Sequence, residues 1–394
     1  MPSDSPFFLT RVECPICRTV NEFETVRMGA YVEEGRDTDF CPTRITWRSA
    51  RYEGYNPLVF FAAVCSNCFY ARELTNTFRD WKDDQTFRTY RLKSIKEKHL
   101  DQLATADSFL KQIGAAIDVT RFPNESAILK LHLTIFDELL FEHHSKLDIG
   151  RFYLRIGWVF RSMSDSNSPR RSMLQGLLSD LDTKYRLVRS AFHDAHMHAG
   201  AFAEQVDAHF DDPNLGVEGR PDFQSHRESL HQAIRVTTEA LLRTGDAIET
   251  IDTALRDYRS AAVGGENVGP GSSFAQYPSF VDFLLAVRAR WDGVVTNEHE
   301  ALTQAVRSYK EAFAGGRDIA PGNQQIQASY LIAELSRRIG DFDTAREYFN
   351  STIRYGQEFI YKNRHDRTQT ALARKILELA VEQGKSNKMA LQTV

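Results

Sequence analysis

Cys14-Pro15-Ile16-Cys17 and Cys65-Ser66-Asn67-Cys68 decide how the front of this chain folds. Each is a C-x2-C knuckle, a spacing at which one tight turn wraps a metal and aims backbone N–H groups at the sulfurs. Four thiolates suit a tetrahedral ion at ~2.3 Å, and a site closed on all four corners is structural, with no position open to a substrate. Zinc is the expected ion, because redox-silent structural zinc is the commoner use of paired knuckles, although four thiolates alone would also hold iron. No strand–helix–strand pattern surrounds either pair, so a redox C-x-x-C is not expected. A reading as buried or unpaired cysteines would need four of the five to fall into two such pairs by accident.

Outward from the knuckles, Leu58-Val59-Phe60-Phe61-Ala62-Ala63-Val64 reads as a strand delivering Cys65, and Thr43-Arg44-Ile45-Thr46-Trp47 reads as another. Gly29, Gly35, Gly54 and Asn56-Pro57 punctuate them as turns. Residues 18–64 separate the knuckles, a longer insertion than a minimal ribbon needs. Residues 1–78 are therefore predicted to form a small zinc-ribbon-like β module that needs its metal as a staple. Cys41, in Asp37-Thr38-Asp39-Phe40-Cys41-Pro42, is the odd cysteine: a small buried hydrophobe, a reactive thiol or an extra ligand. Asp37 and Asp39 share one face of an extended segment. With no nucleophile or phosphate cradle beside them, turn and strand-edge roles are favoured over an acid pair.

After Phe78 the period becomes helical. Leu100, Leu103, Leu110, Ile113 and Ile117 fall on one stripe, Pro123 opens a helix that is apolar nearly all round to Leu140, and Arg151 to Met163 forms a third. Then comes a heptad register: Leu178, Tyr185, Phe192, Ala199 and Val206 at one position, with Leu181, Val188, Ala195, Phe202 and His209 at the other. Past a turn at 211–221 the pattern repeats, with Ile234, Leu241, Ile248, Leu255 and Ala262 beside Leu230, Thr237, Thr244, Ile251 and Tyr258. Two arms of roughly 35 residues at ~1.5 Å each make an antiparallel hairpin of about 50 Å over 170–263. A hinge at Gly264–Ser273 follows. Residues 274–394 carry five further apolar stripes: 280–291, 298–313, 324–339, 341–360 and 367–382. The overall expectation is an α+β, mainly α chain. Its parts are the β module, a helical body over 79–165 and 274–394, and an inserted coiled-coil arm.

The order Cys14-Pro15-Ile16-Cys17, Arg36-Asp37-Thr38-Asp39-Phe40, Tyr55-Asn56-Pro57-Leu58 and Val64-Cys65-Ser66-Asn67-Cys68-Phe69-Tyr70-Ala71 resembles a bacterial family known as domain of unknown function 2225. The resemblance covers about residues 10–163 and, more weakly, 296–360, which makes the coiled-coil region look like an insertion. It implies a cysteine-paired N-terminal module followed by tetratricopeptide-like helical hairpins, and no assigned activity. Members usually carry glycine after the last knuckle cysteine, where this chain has Phe69, and an aromatic-rich stretch where it has Thr43-Arg44-Ile45. From the residues themselves, Ala333-x6-Gly340-Asp341-Phe342-x2-Ala345-x3-Phe349 places small residues where two antiparallel helices touch. Tyr153 to Trp158 resembles the first helix of another such unit; a plain helical-bundle core is the alternative.

The 394 residues carry a formal charge of −4 with 42% hydrophobic residues, which argues against a chain built mainly to coat nucleic acid. No apolar run approaches the ~20 residues of a membrane span and the first residues lack a signal-peptide pattern, so a cytoplasmic location without membrane insertion is expected. Catalytic motifs such as G-x-S-x-G, a Walker loop or H-E-x-x-H are absent from the sequence. His193, His196 and His198 cluster in the first arm, where solvated flank positions are the expectation and a metal pair is the alternative. His209 is placed in the seam near the tip. Arg79, Lys82, Arg88, Arg91 and Lys93, interleaved with Trp81, Phe87 and Tyr90, read as a solvated helix face or as a nucleic-acid contact. The favoured function is a non-enzymatic adaptor or scaffold binding protein partners, with self-association through the arm. A zinc-ribbon nucleic-acid binder using 79–98 is the alternative, and an enzyme using Cys41 or Asp37/Asp39 the second.

Overall fold

The computed structural model describes residues 5–393 except 50, 51, 53, 54, 75, 167, 168, 212–220 and 263–275; for 76, 77, 165, 166, 169–177, 179, 180, 210, 255–262 and 393 it describes the backbone alone. The chain is mainly α with small antiparallel sheets, and it divides into two compact units. One unit joins Met1–Met163 to Val268–Val394; the other is the continuous segment Ser164–Asn267.

The first unit begins with three two-stranded antiparallel sheets. Strand β1 (Phe7–Glu13) pairs with β2 (Val20–Val26), β3 (Tyr31–Arg36) with β4 (Pro42–Trp47), and β5 (Ala62–Val64) with β6 (Ala71–Glu73). The strand expected from Leu58 to Val64 is mostly something else. Pro57–Phe60 forms a 3₁₀ turn, because Pro57 offers no ladder donor and the Asn56 Oδ1 accepts from Leu58 N at 3.1 Å. Only Ala62–Val64 remains extended.

Helices of this unit are α1 (Asn76–Arg79), α2 (Leu92–Ala104), α3 (Phe109–Ala116), α4 (Pro123–Leu139) and α5 (Lys146–Ser166). The second unit then supplies α6 (Pro169–Phe210) and α7 (Pro221–Ala262), before α8 (Phe280–Arg288), α9 (Glu298–Gly315), α10 (Asn323–Arg338), α11 (Phe342–Lys362) and α12 (Arg367–Thr393) complete the first. The single stripe expected from Leu100 to Ile117 is broken between Ala104 and Phe109. Leu100 and Leu103 pack on the knuckle core, whereas Leu110 and Ile113 are fully buried on α3. Helix α4 is buried nearly all round, as its sequence predicts, and its Lys130 Nζ donates to the Val59 carbonyl of the 3₁₀ turn at 2.9 Å. In α10 and α11, Ala333, Ala345, Phe349 and Tyr330 share one buried cluster. Gly340 takes φ +86° at the turn and Asp341 caps Thr344 N, so the short connection reverses the chain.

In the second unit α6 and α7 pair antiparallel. Arg186 pairs with Asp252, His196 lies 3.2 Å from the Thr237 hydroxyl, and Asp207 pairs with Arg227, so advance along one helix is retreat along the other. The expected seam of α7 is the observed one: Ile234 and Leu241 are half-buried, and Thr244, Ile248 and Ile251 are buried. On α6 only half of the expectation stands. In the first expected row Leu178, Phe192, Ala199 and Val206 are half-buried and Tyr185 is exposed; in the second Leu181 is half-buried, but Val188, Ala195, Phe202 and His209 are exposed. The second seam position is instead the row Asp182, Arg189, His196 and Ala203 on the other side, in which Arg189 is exposed and the other three are half-buried or buried. Both sides of the row lie at seam distance in a heptad, and α7 took the more polar one. Leu255, Tyr258 and Ala262 fall among side chains that are not described, and most of the turn and all of the Gly264–Ser273 hinge lie outside the described residues.

Candidate metal centre

Strand β1 runs directly into Cys14 and β5 into Cys65, and the two turns that follow are built alike. Cys14 N donates to Thr19 O at 2.9 Å and Arg18 N to Cys14 O at 3.0 Å; Cys65 N donates to Tyr70 O and Phe69 N to Cys65 O, both at 2.9 Å. The residue after each second cysteine is left-handed, Arg18 at φ +67° and Phe69 at φ +65°. This conformation favours glycine, the residue that the family resemblance leads one to expect at the Phe69 position. Here the Phe69 ring takes the space that a Cβ on Gly114 would fill, at 2.1 Å from the ideal Cβ position.

The two knuckles bring Cys14, Cys17, Cys65 and Cys68 together with all four sulfurs within 4.8 Å of one another. Cys14 and Cys68 Sγ are 3.6 Å apart, and Cys17 and Cys65 Sγ 3.5 Å. Tetrahedral bonds of ~2.3 Å set sulfur–sulfur separations near ~3.8 Å, so the cluster has the size of a metal-filled one. Cys14, Cys65 and Cys68 are buried, while Cys17 is half-buried beside the Thr19 hydroxyl at 3.3 Å. Without a cation the sulfurs share their protons unequally: contacts from Cys14 and Cys65, then burial, push the Cys68 thiol far above its ordinary value, while contacts from Cys14 and Cys68 hold the Cys65 thiol far below it. A divalent cation removes that conflict by holding all four as thiolates.

Residues that spacing could not reveal complete the site. Asn21 on β2 ties the knuckles together: its Oδ1 accepts from Ser66 N and Oγ at 2.9 Å, and its Nδ2 donates to Thr19 O at 3.0 Å and lies 3.5 Å from Cys65 Sγ. His99 on α2 donates from Nε2 to the Cys68 carbonyl at 2.9 Å and holds Asp137 Oδ1 on α4 at 2.7 Å through Nδ1. The other Asp137 oxygen accepts from Ala71 N at 2.6 Å. Burial opposes charge on the His99 ring, but the Asp137 carboxylate outweighs it and raises the pKa. Such outer partners orient a ligand turn without touching the ion.

Asp37, Asp39 and Cys41 lie elsewhere in this unit, at the β3–β4 tip, in a set of ion pairs. Asp39 is fully buried and receives Arg161 Nη2 at 2.7 Å, Nη1 at 3.1 Å and Trp158 Nε1 at 3.2 Å. Asp37 meets Arg161 at 3.0 Å and Arg338 at 2.7 Å. Thr38 is gripped by the buried Glu334 and by Arg338, and its carbonyl accepts from the Tyr330 hydroxyl at 2.8 Å. Burial would raise the Asp37 carboxyl, but the Thr38 N–H and the Arg338 and Arg161 guanidiniums hold it below its ordinary range. Both acids are thus occupied with arginines, in a clasp that fastens the hairpin tip to α5 and α10. Cys41 is half-buried, and burial followed by the Asp39 charge pushes its thiol up to about 12, which favours the protonated thiol at neutral pH.

The basic-aromatic segment is divided. Trp81 and Phe87 are core residues, Arg79 holds Asp80, and Lys82 reaches Glu13 at 2.7 Å. Arg88, Tyr90 and Arg91 sit on an exposed π-helical turn (Phe87–Arg91) ahead of Lys93. In the arm, His196 occupies the seam against α7 rather than its flank, and His209 is exposed rather than in the seam; His193 and His198 are exposed. Among the described residues, the four cysteines are the one group of three or more His, Cys, Asp or Glu side chains placed to share an ion.

No curated protein matches this chain, and no solved structure does. A family model matches residues 7–193 and 285–374. The match therefore takes in the knuckles, the clasp acids, α5 and the first arm helix as far as His193, so the family pattern reaches further into the arm than the resemblance alone implied. With more than half of its length matched, the chain belongs to the family DUF2225, described as an uncharacterized protein conserved in bacteria.

Proposed function

We propose that this protein is a non-enzymatic, cytoplasmic interaction scaffold whose four-cysteine site holds structural zinc. The observation that carries the reading is the closed cluster of Cys14, Cys17, Cys65 and Cys68, sized for one tetrahedral ion and leaving no corner for chemistry. The clasp acids and Cys41 support it, since the groups that an enzyme reading would need are committed to arginines or kept protonated. Among the described residues no helix is long and apolar enough to cross a membrane.

The helical body would bind partners as stacked, tetratricopeptide-like hairpins do, through surfaces between successive helices. An open groove of about 470 Å³ between α11 and α12, lined by Ile360, Tyr361, Arg364, Arg374 and Leu377, is a candidate surface, with Tyr361 73% exposed. Metal analysis of the purified chain is expected to return one zinc per molecule; a metal-free protein of full stability, or iron in its place, overturns the zinc reading. For the scaffold, affinity capture with mass spectrometry should recover a partner that Tyr361→Ala loses. Turnover of a small molecule that Cys41→Ser abolishes would overturn the non-enzymatic reading.

A second reading rests on Tyr90, 79% exposed among Arg88, Arg91 and Lys93: a single-stranded nucleic acid could stack on the ring and place its phosphates on these cations. Binding of an oligonucleotide that weakens steeply with salt and with Tyr90→Ala is its signature; no binding at low salt removes it.

A further inference from the structure

Helix α12 lies close against α11 at Gly356, where an ideal Cβ would stand 2.9 Å from Leu377 Cδ1. The absent side chain lets Leu377 settle onto α11, and with Ile360 it gives the groove between the two helices a half-buried apolar lining beside the exposed Tyr361. Leu377 and Glu378 also line a second trough along α12, with Val381, Glu382 and Lys385. At that end the groove is open, so it is no dead end shaped for a chain terminus.

The same lining carries unpaired cations. Arg364, from the connection after α11, and Arg374 of α12 are both exposed into the groove. Neither guanidinium meets a carboxylate among the described residues: Arg364 Nε donates to the His365 ring at 3.2 Å, and Arg374 Nε to the Thr370 hydroxyl at 3.5 Å. From Arg354 to Lys375 the chain carries six lysines and arginines against two acids, although its overall formal charge is −4. Both acids are already engaged. Glu358 holds Lys362 Nζ at 2.6 Å, and Asp366 Oδ1 accepts from Gln369 N at 2.9 Å.

We propose that this groove takes an internal segment of a partner protein in which an aspartate or glutamate adjoins a large apolar side chain. The carboxylate meets Arg364 and Arg374, whose planar guanidiniums suit it, and the apolar neighbour covers Ile360 and Leu377. Glu378 lines the groove one turn beyond Arg374, and Glu382 follows in the trough. A nucleic-acid backbone, charged at every step, would run onto these two carboxylates, whereas a peptide sets its acid at the arginine end alone. This names the partner class for the groove of the scaffold reading and rests on that reading.

The full chain is to be probed with an array of random synthetic peptides of about 12 residues. The bound peptides are expected to be enriched in aspartate or glutamate next to leucine, isoleucine or phenylalanine, and to bind more weakly as salt rises. Arg364→Glu combined with Arg374→Glu should weaken them about tenfold with unchanged far-UV circular dichroism, because both side chains are exposed. The doubly substituted chain should instead gain the versions of those peptides in which lysine replaces the acid, a gain that misfolding would not produce. Binding of no peptide overturns the proposal, as does selection without acidic enrichment or equal binding by the reversed chain. A single-stranded oligonucleotide that binds and is lost with the same two substitutions overturns it in favour of nucleic acid. A captured partner that Tyr361→Ala loses and the charge reversal keeps ends this inference while leaving the scaffold reading in place.

Discussion

The knuckle region and the α6–α7 arm solve the problem of stability in opposite ways. In the first unit a few buried contacts with exacting geometry do the holding: Asn21 between the knuckle turns, His99 on the Cys68 carbonyl and, at the β3–β4 tip, Asp39 on Arg161. The arm spreads its interactions along two 42-residue helices, with half-buried seam residues and ion pairs open to water. A short sheet cannot bury enough apolar surface alone, so it relies on directional bonds; a long helix pair can rely on repetition. The lesson is that a single lost contact should be costly in the first region and cheap in the second.

The largest expected effect separates the two outright. On the zinc proposal, chelation should unfold the knuckle region, since structural zinc contributes on the order of 10 kcal/mol of apparent binding energy, while the arm keeps its helicity. Hydrogen exchange before and after chelation checks this: protection should vanish over 7–73 and persist in α6 and α7. Equal loss in both would break the contrast.

Next comes the clasp. Asp39→Ala leaves Arg161 largely buried with only its less buried partners Asp37 and Glu298, and should cost about 3–5 kcal/mol in denaturant unfolding. Its counterpart in the arm, Arg186→Ala, removes the exposed pairs with Asp182 and Asp252 and should cost under ~1 kcal/mol. Comparable values for the two would defeat the comparison.

Acid sharpens it further. His132 on α4 is fully buried and neutral, with Nδ1 donating to Ile128 O at 2.9 Å and Nε2 accepting from Val295 N at 3.0 Å. Burial depresses its pKa to about 3 from 6.5. The unfolded chain therefore binds a proton that the folded one refuses between those values. Stability from this group is complete above pH 6.5 and falls by about 1.4 kcal/mol per unit as pH drops towards 3. His132→Gln should flatten that slope in urea midpoints measured across the window; an unchanged slope would place the acid sensitivity elsewhere.

The smallest local test concerns the left-handed turn. Gly114→Ala drives a methyl into the Phe69 ring and should cost about 1–3 kcal/mol. In a Phe69→Gly background, where the ring is gone and the φ of +65° is unstrained, the same change should cost much less. Equal costs in both backgrounds would show that the ring does not occupy that space.

Legibility in the sequence followed the range of the interaction. The four candidate ligands could be read because each pair is local to one turn, and thiolate chemistry singles out the residue type. Asn21, His99 and Asp137 could not be, because a histidine 31 residues from its carbonyl partner carries no local mark. Pro57 did carry a mark, yet the apolar run after it reads as strand until the Asn56 cap is seen. The break at Gly340 was legible, since the apolar stripes 324–339 and 341–360 stop on either side of it, and there Gly340 takes φ +86° and Asp341 caps Thr344 N.

By itself the chain of residue types determined the four-cysteine set that could hold a metal, the mainly helical composition and the seven-residue repeat of the arm, because each depends on neighbours within a turn or two. Tertiary structure alone decided which flank of α6 meets α7, that Asp37 and Asp39 close on arginines from α5 and α10, and that His99 braces a knuckle. Those outcomes depend on surfaces brought together across hundreds of residues, where geometry and desolvation select among partners that local pattern leaves equivalent.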